Sequence, residues 1–460
     1  MIVGAPQQST SLKDSHVEAA SFDSPVAFKC LIVLMFLMFV APQNYFTFLA
    51  PLRLALVFAL LSMAAYVVTS MGQRNRLTIW GPEVKLIIWL VVFAVISIPQ
   101  SKWPGGSFQL LFDTYLKAVI VFFLIANLLT SERRLHTFLW ALAWYSAFNA
   151  VSGINAFRQG TFLIEGRIYG GGNSGLTANP NDLALTLNLL IPFIGYLFLS
   201  SKNRVQRMAA GAILLASVVC VIVTYSRGGA ITLVAILLWY VWTRSGPRRI
   251  GALIGVSLLI GVIILMGPAG YSDRIATTAD FSQDKTGSAD ARWTMMKEGV
   301  RQTFEHPLGV GLGMTQLQNV EDGMGWHAGG IHNVFLQISI ELGIIPGVLF
   351  IVLLWKLIAG MRRIRSLPAA SGGKVALLAG ATECSLVAFA VAGMFHPAAY
   401  TFYFYIIAGI AVALKEMAGR VSHDVDNAVA TAIPLYRSTQ FRPTTRSKQD
   451  QPAQQTWRPT

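Results

Sequence analysis

Ile331-His332-Asn333-Val334-Phe335-Leu336 is where the longest polar interval between hydrophobic segments ends and an apolar run to Leu357 begins. A run of that length and character predicts a helix able to cross a ~30 Å hydrocarbon core. His332 therefore sits where water gives way to membrane, and an ionisable group there is a functional candidate by default. Just upstream lies His306-Pro307-Leu308-Gly309-Val310-Gly311-Leu312-Gly313. Its glycines resemble a nucleotide loop only superficially, because the lysine and the preceding strand are missing. His306, followed by proline and glycines, reads as a turn residue.

The rest of the chain shares that apolar character. Of 460 residues, 54 % are hydrophobic and only 13 % charged, too apolar for a soluble protein of this size. About twelve segments are long enough, alone or with tilt, to span a bilayer. They are Val26–Val40, Leu52–Thr69, Val84–Ile98, Leu110–Leu129, Leu135–Phe157, Leu183–Leu199, Val205–Thr224, Ala230–Trp242, Ile250–Met266, Val334–Leu357, Val375–Phe395 and Thr401–Met417. The expected fold is an all-α polytopic membrane protein, with a transmembrane domain over 26–418 and disordered cytoplasmic tails at 1–25 and 419–460.

The net charge of +14 is topological in origin. Arg74, Arg76, Lys85, Arg133, Arg134, Lys202, Arg204, Arg207, Arg244, Arg248, Arg249, Arg362, Arg363, Arg365 and Lys374 fall in loops on one side, which the positive-inside rule makes the cytoplasm. Both termini are then cytoplasmic, and no nucleic-acid partner is implied. The three cysteines, Cys30, Cys220 and Cys384, each lie in an apolar run and form neither a disulfide framework nor a zinc site. About 25 polar residues precede the first apolar run, which predicts a retained span rather than a cleaved signal.

The opposite side holds the chemistry: Arg167, Arg227, Arg292, His306, His327 and His332. One loop there, 267–331, is far longer than an ordinary connection. Within it Ser288–Phe304 predicts an amphipathic helix whose Trp293, Met296, Val300 and Phe304 face packs on the membrane domain, with Arg292 at the edge of that face. Tyr225-Ser226-Arg227-Gly228-Gly229 puts a guanidinium close to the hydrocarbon, where it either binds an anion bidentately or snorkels to the interface. Arg167 precedes a glycine run and Asn179-Pro180-Asn181-Asp182, in which an asparagine caps the next helix.

Asn333 is placed to fix the tautomer of His332, and a neutral imidazole near pH 7 can accept a proton from a sugar hydroxyl. His327 is a further binding candidate, whereas His396, at an outward turn, reads as structural or acceptor-facing. Glu341, inside the apolar run, is expected to pair, for instance with a basic group in the bundle. Asp113 and Lys117 make an i,i+4 pair. No converging carboxylates or histidines predict a catalytic metal.

Arg167 with Asn179-Pro180-Asn181, Ser226-Arg227-Gly228, Arg292-Trp293, His306-Pro307-Leu308-Gly309-Val310-Gly311, and His332-Asn333 through Glu341-Leu342-Gly343 together resemble the bacterial O-antigen ligase and O-antigen polymerase superfamily. The resemblance implies a GT-C-like helical fold in the inner membrane and metal-independent, cofactor-free glycosyl transfer at its outer, periplasmic face. The implied donor is an undecaprenyl-diphosphate-linked glycan. The acceptor is lipid A core, a second lipid-linked glycan, an exopolysaccharide or a protein. By position, Arg227 and Arg292 would bind the diphosphate and His332 would activate the acceptor hydroxyl, with inversion. Arg167, Asn333 and His327 are further candidates for donor or acceptor binding. A multi-pass transporter also fits about twelve spans, although no internal repeat is visible. A noncatalytic assembly factor would leave the outward His and Arg set without a purpose.

Overall fold

The computed structural model describes residues 24–72, 78–160, 163–164, 167–168, 176–177, 179–243, 246–247, 249–251, 253–254, 256–257, 261, 288–317, 331–367 and 373–438, with the backbone alone at 163–164, 167, 288–292 and 421–438. The helices are α1 (Pro25–Phe39), α2 (Leu54–Gly72), α3 (Pro82–Ser97), α4 (Pro104–Leu128, with a π turn at Leu111–Tyr115), α5 (Glu132–Gln159), α6 (Pro180–Ser200), α7 (Arg204–Val223) and α8 (Arg227–Trp242). They continue as α9 (Ser288–Glu305), α10 (Val334–Glu341), α11 (Ile344–Ser366), α12 (Lys374–Ala392) and α13 (Phe402–Ser438). The strands described are a two-residue antiparallel pair, β1 (Leu163–Ile164) and β2 (Arg167–Ile168).

Local sequence sets the starts of these helices. Proline opens α1, α3, α4 and α6, where its missing N–H costs nothing. Ser131, Asn179, Asn203, Ser226 and Asn333 cap α5, α6, α7, α8 and α10 with side-chain oxygens.

Among the described residues, eight helices are long and apolar enough to cross a membrane, and α1 and α8 are shorter apolar ones. The protein is thus a polytopic helical membrane protein. Helix α5 occupies the expected Leu135–Phe157 span but carries more polar residues. Its Ser146 hydroxyl meets that of Ser217 on α7 at 3.1 Å, and its Asn149 donates to the Phe39 carbonyl at 2.8 Å. Most of the expected span Ile250–Met266 lies outside the described residues. Helices α6 and α12 are mostly buried and form the centre of the bundle, joined where the Ser385 hydroxyl donates to the Leu189 carbonyl at 2.7 Å. Helix α2 is largely exposed and forms an outer wall.

The elements up to Glu416 belong to one unit, and Met417–Thr460, which takes in the rest of α13, is a second. In that second unit the backbone is helical to Ser438, where the sequence leads one to expect a tail without regular structure. The Ala- and Val-rich stretch Ala428–Ala432 supports helix locally.

The expected single span Val334–Leu357 is in fact broken. Helix α10 stops at Glu341, and α11 restarts at Ile344 after Gly343, whose φ of 109° no ordinary L residue holds comfortably. The Gly309–Gly313 loop causes the break. Val310 and Gly311 donate to the Ile340 and Glu341 carbonyls at 2.9 and 3.0 Å, and Ile344 donates back to the Pro307 carbonyl at 3.0 Å. Backbone meets backbone so closely that a Cβ at Gly309 would stand 2.6 Å from the Glu341 carbonyl oxygen, and one at Gly311 2.5 Å from Ser101 Cα.

Glu341, fully buried, completes this clasp. Its carboxylate accepts the Gly313 N–H at 2.8 Å and the Thr315 hydroxyl, rather than the basic partner expected. The Tyr400 hydroxyl also interacts with this carboxylate but makes no hydrogen bond of regular geometry. Asp113 and Lys117 form the expected pair at 3.1 Å.

Gly309→Ala places a methyl group into a backbone and forces a strained φ, so it should cost at least ~1–3 kcal/mol and lower the melting temperature in detergent. Gly360→Ala, in α11 with open space around it, should leave melting unchanged or raise it. A Gly309→Ala protein that melts like wild type would show that the clasp is not under steric control.

Candidate active site

A cavity of about 520 Å³ opens between α1, the start of α6, the start of α10 and the turn between α12 and α13. Its polar lining includes Asn179, Asn181, Asp182, His332 and His396 together with Gln43 and Thr401, and its apolar wall includes Leu37, Met38 and Phe402. The volume falls within the range of small-ligand sites.

His332 reaches this wall because α10 is anchored at its first turn. Val334 donates to the Gly393 carbonyl at 2.7 Å, and the Gln337 side chain accepts the Ala399 N–H at 3.3 Å. Both bonds tie α10 to the α12–α13 turn that carries His396. His332 is half-buried there. Asn333 is buried, and its Oδ1 accepts the Phe335 and Leu336 N–H groups at 3.0 and 3.1 Å. Its oxygen is therefore spent on the helix cap rather than on the neighbouring imidazole, and it orients His332 through the backbone.

On the facing wall, Asn179 caps α6 by accepting the Asn181 and Asp182 N–H groups at 2.9 Å, as the sequence predicts. Its amide also donates to Asp182, which leaves the second oxygen of Asp182 to meet His396 Nε2 at 3.0 Å. This Asp182–His396 pair is the feature that sequence reasoning missed. The signal was present in the histidine at an outward turn and the acidic residue at a helix start, but nothing in the spacing joined two positions so far apart.

Asn181 links the cavity to the arginine motif. The Ser226 hydroxyl donates to Asn181 Oδ1 at 2.8 Å and also accepts the Gly229 N–H at 3.2 Å, capping α8. Arg227 is the first residue of α8 and is half-buried. The glycines that follow it are packing residues: a Cβ on Gly228 would stand 3.3 Å from Phe395 Cβ, and one on Gly229 2.7 Å from Ala184 Cβ. The arginine motif is thereby held against α6 and the His396 turn. Tyr225, with a φ of 54°, turns the chain from α7 into α8, and burial raises the pKa of its phenol.

Helix α9 docks on α10, but not through the expected face. Gly299 and Thr303 are buried, and a Cβ on Gly299 would meet Ile331, Ile340 and Leu336 side chains at 3.2–3.5 Å. Trp293, Val300 and Phe304 point away, 48 %, 46 % and 74 % exposed. A glycine lets α9 approach α10 more closely than the bulky stripe does, so close approach decides the docking face. Arg292 lies in this helix near its start, where the backbone alone is described. Arg167 pairs through its backbone with Ile164, and His327 lies outside the described residues. His306 is exposed, and its carbonyl accepts the Gly309 N–H at 2.9 Å, a turn as expected.

Residues 210–352 match the family model described as O-Antigen ligase. This segment is similar to the O-antigen ligase family. It takes in Arg227, Arg292, the glycine clasp, His332 and Glu341, and it supports glycan transfer of the O-antigen ligase or polymerase type. Asn179, Asp182 and His396 lie outside the matched segment, although they line the cavity with His332; Arg227 is not in that lining. No curated protein matches the chain.

The capping geometry separates two roles for Asn333. Asn333→Asp keeps an oxygen acceptor and should retain activity and stability, whereas Asn333→Ala should lose ~0.5–2 kcal/mol of stability and activity with it. If Asn333→Asp were folded but inactive, the side-chain amide would have a direct part in binding or in orienting the imidazole.

Proposed function

We propose that this protein transfers or polymerises glycan from an undecaprenyl-diphosphate-linked donor onto an acceptor hydroxyl, at the periplasmic face of the bacterial inner membrane. The observation that carries this reading is the cavity lined by both His332 and the Asn179–Asp182 segment, while the Asn181–Ser226 bond holds the start of α8, with Arg227, against that segment.

In this reading the diphosphate lies toward Arg227 and Arg292, whose planar forks suit its oxygens and stabilise the charge that develops as the glycosyl bond breaks. The N-terminal end of α8 adds favourable potential for the same anion. The acceptor sugar enters the cavity, and its hydroxyl gives its proton to His332 as the oxygen attacks the anomeric carbon. The C–O bond to the diphosphate breaks, and the diphosphate leaves with the bonding pair. Attack opposite the leaving group inverts the anomeric centre. A diphosphate is a sufficient leaving group by itself, so the residues named need neither a nucleotide nor a metal.

His332→Ala, correctly inserted, should abolish transfer from a synthetic lipid-diphosphate glycan, assayed with lipid A core, a second lipid-linked glycan and a protein as acceptors. Arg227→Lys should be strongly impaired, because lysine loses the bidentate fork. Full turnover by the His332 variant would sink its role as base. Solute movement in vesicles without covalent transfer would favour a transporter instead.

A further inference from the structure

Helix α9 carries three distinct stripes. Gly299 and Thr303 form the docking stripe against α10. Arg301, bonded to Glu298 and Glu305, forms a charged stripe, and its guanidinium lowers the pKa of Glu298. Between them run Trp293, Val300 and Phe304, spaced so that they fall on one side of the helix and exposed by half or more of their surface in the case of Phe304. Lys297 lies over the Trp293 ring, 5.4 Å from its centroid.

This apolar edge does not end with the helix. Leu308 is 73 % exposed, and its neighbour Pro307 is bonded through its carbonyl to Ile344, the first residue of α11. From there Ile345, Val348, Ile351 and Trp355 continue as an exposed face along a membrane-crossing helix. Trp103 is also exposed, two residues from Ser101, against which Gly311 packs. The apolar edge of α9 is thus continuous with a surface that lipid must cover. It ends in a tryptophan under a lysine, a pairing suited to the headgroup level.

We infer that α9 is an interfacial helix, with Trp293, Val300, Phe304 and Leu308 seated in the lipid at the membrane surface and the Arg301 stripe in water. An amphipathic helix with an apolar edge and an opposing charged face lies in the interface plane in this way. The lipid contact stands on the exposed edge alone. One consequence rests on the proposed function: a helix seated in lipid holds the turn that carries Arg292 at the level where the phosphates of a lipid-linked donor lie.

The test uses the full chain in lipid nanodiscs, with single nitroxide labels on cysteines introduced at 300, 304 and 308, and at 301 and 305 for comparison. Signal from the native cysteines is measured on the unsubstituted protein. The expected result is preferential oxygen over nickel-complex accessibility at 300, 304 and 308, with the reverse at 301 and 305. Equal nickel access at all five positions would place the edge in water. Exclusion of both reagents from 300, 304 and 308 would place protein or a second copy over it. Either result overturns the inference without bearing on transfer. As a check independent of the introduced cysteines, brominated lipids should quench the emission lost in Trp293→Phe, and an unquenched Trp293 contribution would also overturn it.

Discussion

The site depends on one steric constraint, the contact of two backbones where the Gly309–Gly313 loop passes the Glu341–Gly343 turn. Only glycine permits it, since side chains at 309 or 343 would press into main-chain atoms of the other segment, while one at 311 would press into Ser101. The contact divides what would be one apolar helix into α10 and α11, and it buries the Glu341 carboxyl group among Gly313 and Thr315 donors. A buried carboxyl group is costly unless its oxygens are satisfied. Satisfying it with a backbone amide of the same loop makes the clasp self-reinforcing: the glycine loop brings the donor, and the carboxyl group holds the loop. Freed from α11 by the break, α10 can aim its first turn at the α12–α13 turn, and His332 arrives at the cavity wall.

The buried acids of the bundle are stabilised in two different ways. Glu83 meets Lys415 at 2.6 Å, and Glu383 meets Arg362 and Arg365, both at 3.1 Å. These pairs fall among the basic segments that set the expected cytoplasmic side. Glu341 instead uses hydrogen-bond donors of the clasp. Arg227, the first residue of α8, is half-buried beside the Ser226 cap that bonds to Asn181.

Most of the helices were legible in the sequence because length and uniform apolarity need no knowledge of partners. The capping role of Asn179 was legible for a similar reason, since a cap is decided by its own next three residues. What depended on contact across the chain was not. The docking face of α9 was misread because apolar periodicity identifies an edge that avoids water without distinguishing lipid from protein. Gly299, which decides the docking, carries no hydrophobic signal at all. The break at Gly343 was hidden because its cause lies in another glycine segment, and the neutral partners of Glu341 were hidden in the same loop. Asp182 and His396 became a pair only when the fold brought α6 to the final turn.

That pair also shows how the two sides of the cavity are made interdependent. Asn181 and Asp182 are adjacent at the start of α6. One holds Ser226 and hence the arginine-bearing start of α8, and the other holds His396 on the turn that anchors α10. A single helix start thereby sets the distance between the start of α8, which carries Arg227, and the turn that anchors the imidazole-bearing segment. In the proposed displacement at an anomeric carbon that distance is the critical quantity, because attacking and leaving oxygens must lie on opposite sides of one atom. Placing both anchors on consecutive residues of a capped, proline-started helix leaves few backbone torsions between them, and so little freedom for the two halves of the site to drift apart.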